Sequence, residues 1–150
     1  MPGRDADIST LSICLTCRDG REGLCGDRRG GERLAQAVLA RFGAASATPG
    51  LRLRGVRCMS QCKRPCVAAL TAPGRFAYIF GDLDPENREH ADALLALAPL
   101  HAAAPEGFLR REARPEALRA RILGRLPPQE TASDLVSPLC AAPSSMGASA

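Results

Sequence analysis

Six of the seven cysteines in this 150-residue chain fall into two groups, each following a short run with the alternation of a strand. Cys14 and Cys17 form C-x-x-C after residues 8–13, with Cys25 further on in a glycine-rich stretch. Cys58, Cys62 and Cys66 form C-x-x-x-C-x-x-x-C after residues 51–56. A fold that sets these two runs side by side as strands brings both groups of thiols to one place. A chain of this length buries a core without disulfides, and an odd number of thiols cannot all pair internally. No apolar run approaches the ~18–20 residues of a membrane span, and no basic-then-apolar leader precedes Ile8, so the expected compartment is the cytoplasm. In that reducing setting, grouped cysteines signal metal binding or redox chemistry.

The remaining patterns give an alternation of strands and helices. Residues 1–7 read as a loose arm and 8–13 as a first strand, while 18–31 hold too much glycine and charge for a regular element. From Glu32 a helix is expected, because Leu34, Ala35, Val38, Leu39 and Phe42 recur at helical spacing and Gly43 supplies a stop. Leu51-Arg52-Leu53-Arg54 alternates apolar and basic, as a half-buried strand does. Residues 67–70 and 75–80 form two further strands joined across Pro73-Gly74, and Phe76, Tyr78 and Phe80 share one face of the second as core. Asp84 as N-cap and Pro85 in the first turn open a helix to about residue 98 that buries Leu94, Leu95 and Leu97.

A third, amphipathic helix is expected over residues 115–125, with Leu118, Ile122 and Leu126 on one side. Beyond Pro127-Pro128 the chain turns to Ser, Ala and Pro, which predicts a disordered tail over 128–150 behind a single domain of residues 1–127. Strand, helix, strand, hairpin and helix is the order of a thioredoxin-like α/β fold, here with an added C-terminal helix.

Four thiolates converging from two loops can hold tetrahedral zinc or the irons of an iron–sulfur cluster. Gly20, Gly23, Gly26, Gly30 and Gly31 would let backbone approach sulfur and offer N–H donors, and Arg18, Lys63 and Arg64 would offset cluster charge. A zinc ribbon expects two C-x-x-C knuckles, and the second group here is C-x-x-x-C. The bacterial ferredoxin run C-x-x-C-x-x-C-x-x-x-C-P is absent. A thioredoxin-type dithiol of Cys14 and Cys17 leaves Cys58, Cys62 and Cys66 unexplained. Gly20 and Gly23 also argue against a helix starting directly after Cys17 to lower the thiol pKa. The series Cys14, Cys25, Cys58, Cys62 resembles the ligand pattern of thioredoxin-like [2Fe–2S] ferredoxins, in which a first pair of variable spacing precedes C-x-x-x-C. That resemblance covers residues 8–98, with Cys17 and Cys66 outside it.

A closer resemblance rests on Cys14-Leu-Thr-Cys17-Arg18, on Cys58-Met-Ser-Gln-Cys62-Lys-Arg-Pro-Cys66-Val-Ala, and on residues 72–83 (APGRFAYIFGDL). Together with Arg114-Pro115 and Leu126-Pro127-Pro128, these motifs resemble the bacterial family called domain of unknown function 1636. The resemblance implies metal binding, and an occasional neighbourhood to cobalamin-synthesis genes implies a redox or metal-handling role in that pathway. The family's first group is chiefly C-x-x-C, so Cys25 is particular to this chain. Cys66 matches the family pattern and would be a spare ligand or a redox partner.

Other functions lack support in the sequence. With 20 Lys and Arg against 16 Asp and Glu, no Trp, one Tyr and four Phe, the chain has no basic stripe with interleaved aromatics for nucleic acid. Ser-His-Asp sets, Walker loops and H-E-x-x-H helices are missing from the sequence. The expectation is an electron carrier, and not an enzyme in its own right. Its [2Fe–2S] cluster is held by Cys14, Cys17 or Cys25, Cys58 and Cys62, and it docks a redox partner protein near Arg18, Lys63 and Arg64. A homodimer is left open. The alternatives are a module holding zinc or cobalt through the same thiolates, and a thiol-disulfide oxidoreductase. Cys140 reads as incidental, His90 and His101 as surface residues, and Asp82 and Asp84 as turn and cap.

Overall fold

The computed structural model describes residues 8–24, 26–44 and 48–140, so the expected N-terminal arm, Cys25 and the last ten residues lie outside it. The elements are β1 (Ser9–Cys14), α1 (Gly30–Ala44), β2 (Leu51–Val56), β3 (Ala68–Thr71), β4 (Ala77–Phe80), α2 (Arg88–Ala103), α3 (Glu116–Arg119) and β5 (Ile122–Leu126). They build one sheet in the order β2-β1-β3-β4-β5. β1 and β2 are parallel, and β3, β4 and β5 follow as antiparallel neighbours. Strand order 2-1-3-4 with β3 running against the others, and helices after β1 and β4, is the thioredoxin-like arrangement expected from the order of elements.

Alternation along the strands decides which side is core. Leu11, Ile13, Ala68, Leu70, Tyr78 and Phe80 point to one face and are all buried. α1 and α2 cover that face. Leu34 and Val38, one turn apart on α1, and Leu94 and Leu97 on α2 are fully enclosed, and Arg41 clamps the two helices with a bidentate pair to Asp92 at 2.6 and 2.8 Å. The opposite face carries Thr10, Ser12, Arg52, Arg54, Ala69 and Thr71, so β2 alternates as its Leu-Arg repeat requires.

Several expectations are corrected. α1 begins two residues early, at Gly30. α2 is capped by Asn87, whose side chain accepts from Glu89 N, and not by Asp84. Asp84 instead accepts from the Glu86 amide and from Arg21. α2 also continues past Pro99 to Ala103, because the next turn buries His101 against the sheet and its Nε2 reaches the Phe76 carbonyl at 2.6 Å. His90 is likewise interior: its Nδ1 accepts from the Asp84 amide at 2.8 Å. Two histidines taken for surface residues are thus buried anchors of α2.

The C-terminal helix is confined to Glu116–Arg119, and Ile122–Leu126 is instead a fifth strand on β4, with a bulge between Ile79 and Phe80. The four-residue spacing of Leu118, Ile122 and Leu126 fits a helix, yet the free edge of β4 offers backbone partners that a local pattern cannot reveal. Residues 127–140 contain no helix or strand, although Ser133 is buried. Among the described residues no helix is long and apolar enough to cross a membrane.

Tyr78 shows how the irregular stretch between α2 and β5 is fixed. Its hydroxyl accepts from the Leu109 amide at 2.7 Å and donates to the Leu109 carbonyl at 3.4 Å, all of it buried. Tyr78→Phe strands that amide, with an expected loss of roughly 1–3 kcal/mol in urea unfolding.

The two buried histidines make the fold acid-sensitive. Burial, then nearby Arg121, holds the His90 imidazole below the ordinary histidine range, and burial does the same for His101 against a smaller opposing contribution from its Phe76 bond. The Nδ1 of His101 has no hydrogen-bond partner, so a proton placed there would be buried without an acceptor. Above pH ~6.5 both states are neutral; below it the unfolded chain takes up protons that the folded imidazoles refuse, and stability falls towards their lower folded values. The urea midpoint should drop between pH 7 and pH 5, and drop less in His101→Gln.

Candidate metal centre

Parallel pairing of β1 and β2 sends both strands to the same end of the sheet, and antiparallel β3 starts from it. Cys14 closes β1, Cys58 and Cys62 lie in the loop after β2, and Cys66 precedes β3. Backbone bonds fix this end: the Cys14 amide donates to Val67 O at 3.0 Å and the Leu15 amide to Val56 O at 2.7 Å. Cys66 exchanges two 3.1 Å bonds with Leu83 beyond the end of β4.

The five described thiols here form two layers. Cys14, Cys17 and Cys66 are buried, whereas Cys58 and Cys62 are exposed. The inner layer abuts the N-terminus of α1. The Gly31 amide donates to the Cys17 carbonyl at 3.0 Å, and a methyl built on Gly31 would stand 1.9 Å from the Cys14 carbonyl oxygen. A methyl on Gly30 would stand 3.0 Å from Cys66 Sγ. These two glycines therefore serve close approach. Gly20, Gly23 and Gly26, expected to do the same, face open space at positive φ and shape the loop.

The loop is tied down by charge that the sequence left unassigned. Glu22 accepts from the amides of Asp19, Gly20 and Gly30, at 3.2, 3.2 and 2.9 Å. Asp19 binds Arg21 and Arg33, Arg21 reaches Asp84, and Arg33 also reaches Glu86 at 2.6 Å. The result is an ion network joining the loop to α1 and to the approach to α2.

The thiols differ in acidity. Burial pushes the Cys14 thiol up, but the hydroxyl and amide of Thr16, the amide of Met59 and the Cys17 thiol together outweigh it and bring it below the ordinary value. Burial, followed by the neighbouring Cys14, pushes Cys17 up to about 12. Burial, followed by Cys17 and Asp19, pushes Cys66 up to about 12. Thr16, with its Oγ1 3.6 Å from Cys14 Sγ and also bonded to the Arg57 carbonyl, and the Met59 amide were missed in the sequence. The hydroxyl residue inside Cys14-Leu-Thr-Cys17 was the available signal. Of the three cations proposed beside the ligands, Arg18 and Lys63 are exposed, while Arg64 is neutralised by Asp82. Cys140 is exposed in the C-terminal segment.

The donor set suits a thiophilic metal: all the candidate ligands are sulfur, and amide donors already face one of them. Among the described residues no three ligating side chains converge closely enough to hold an ion.

No curated protein matches this chain. A solved structure similar to it is a thioredoxin-like [2Fe–2S] ferredoxin from Aquifex aeolicus, at 16% identity and a TM-score of 0.46, covering 83% of this chain and 98% of that one. The model of the family described as "Protein of unknown function (DUF1636)" matches residues 11–128, and the chain belongs to that family.

Proposed function

We propose that this protein is a ferredoxin-like electron carrier with a [2Fe–2S] cluster at the cysteine end of its sheet. The observation that carries the reading is the placing of five thiols from two chain segments at one sheet end, three of them buried and two exposed. Cys14, Cys58 and Cys62 would be ligands, with Cys17 or Cys25 as the fourth. Such a cluster supplies one-electron chemistry. The chain itself contributes amide donors at Cys14, a tethered loop over the thiols, and exposed Arg18 and Lys63 as a docking rim for a redox partner protein, in the cytoplasm and with a link to cobalamin metabolism.

Protein prepared without oxygen is expected to show a visible sulfide-to-iron absorption, a paramagnetic signal on reduction, and two irons with two labile sulfides per chain. Stoichiometric zinc or cobalt without sulfide overturns this in favour of a metal-handling module.

A second reading rests on the neighbouring thiols Cys14 and Cys17, close enough for each to shift the other's acidity. The two thiols could pass two electrons and two protons to a disulfide-bonded substrate, forming their own disulfide as the substrate leaves as two thiols. Disulfide reduction that survives Cys58→Ser and Cys62→Ser but is lost in Cys14→Ser would establish it.

A further inference from the structure

The net charge of the chain, 20 minus 16, resides in one segment. Residues 110–125 contain six arginines against Glu112 and Glu116, an excess of four, so the rest of the chain sums to zero. Arg21, Arg33, Arg41 and Arg64 all meet carboxylates. Within 110–125 no arginine forms an ion pair among the described residues; the hydrogen bonds there go to backbone carbonyls.

We propose that Arg111, Arg114 and Arg125 form a binding site for a phosphate group, remote from the cysteines. Arg114 is only 8% exposed, yet its one hydrogen bond is from Nε to the Leu109 carbonyl at 3.2 Å. Among the described residues its two terminal nitrogens have no acceptor, and they are not sealed from solvent. Arg125 converges on the same carbonyl at 3.5 Å and lies 3.9 Å from the Phe108 ring centroid. Both guanidiniums flank Tyr78, at 5.6 and 5.8 Å from its centroid. Arg125 and Arg111 are near enough for their charges to oppose that of Arg114, and Glu112 is near enough to favour it.

A guanidinium taken out of water is ordinarily matched by an anion; the buried Arg114 has Glu112 nearby but no ion pair with it, against two neighbouring guanidiniums, which leaves room for a ligand's charge. A carboxylate brings a single charge, whereas a phosphate brings nearly two and offers oxygens to several planar forks at once. The aromatic rings hold the guanidinium planes in position without neutralising them.

Tyr78 is the chain's single tyrosine and there is no tryptophan, so intrinsic fluorescence reports on this site alone. Full-length protein is titrated with inorganic phosphate and with adenosine monophosphate, against chloride at matched ionic strength. The melting temperature is followed alongside. A saturable Tyr78 response to phosphate is expected, about tenfold weaker or more in Arg111→Gln and Arg125→Gln and unchanged in Arg28→Gln. Equal affinity for both ligands assigns recognition to the phosphate itself, and tighter binding of the nucleotide adds contacts to the remainder of the molecule. Either result supports the site. Absence of saturation with both ligands, reproduction of the response by chloride, or undiminished affinity in Arg111→Gln overturns it. Arg111 is exposed, so that variant reads out even where Arg125→Gln does not fold.

Discussion

Gly31→Ala is expected to unfold the protein or cost it about 3 kcal/mol or more, lowering the urea midpoint by on the order of 1–2 M. The added methyl would meet the Cys14 carbonyl oxygen at 1.9 Å, and that oxygen belongs to the backbone at the end of a central strand. A clash with the end of a flexible side chain relaxes by a rotamer change. Here relief requires α1 to move away from β1, and Leu34 and Val38 tie that helix to the core. Gly43→Ala in the last turn of the same helix is the counter-case: nothing lies within 4 Å of the added methyl, and the backbone there needs no positive φ. It should stabilise by roughly 0.5–1 kcal/mol, through helix propensity and a less flexible unfolded chain. Equal effects from the two substitutions would refute the close approach of α1 to the Cys14 strand end. Because the same approach positions the Cys17 carbonyl, any folded Gly31→Ala protein should also bind metal poorly.

Removal of ligands should have the second large effect. Cys14→Ser, Cys58→Ser and Cys62→Ser should each abolish the visible chromophore and most bound iron, since serine is a poor substitute for thiolate towards soft metal. Cys140→Ser, outside both groups, should leave iron unchanged. Between Cys17→Ser and Cys25→Ser, the one that strips the iron identifies the fourth ligand. Cys66→Ala separates structure from ligation: its thiol is fully buried beside Gly30, so the variant should retain iron while losing roughly 1–2 kcal/mol of stability. Full iron occupancy in a Cys58→Ser, Cys62→Ser double variant would sink the proposed cluster.

Much of the arrangement was legible along the chain. The alternation Leu51-Arg52-Leu53-Arg54 identified a half-buried strand, and Phe76, Tyr78 and Phe80 identified the buried side of β4. The strand exits before Cys14 and Cys58 implied that the thiol groups would meet. These features rest on local periodicity, which is carried by neighbouring residues. The failures concern residues whose state depends on partners outside their own helix or loop. Ile122–Leu126 has helical spacing but pairs with β4 across more than forty residues. His90 and His101 look polar in isolation, yet each satisfies a backbone group on another segment. Arg64 looks like a free cation until Asp82 folds beside it.

By itself, the amino-acid order determined the succession of strands and helices as far as α2, the core faces of β2 and β4, and the excess of thiols over any structural need, because these follow from spacing and composition. Tertiary structure alone decided which thiols lie inside and which outside. Burial and amide donors are supplied by segments far apart in the chain, and they give Cys14, Cys17 and Cys66 acidities that no spacing encodes. The same holds for charge: the sequence places a surplus of four within residues 110–125, and only the folded chain shows that these arginines bind carbonyls and form no ion pair among the described residues.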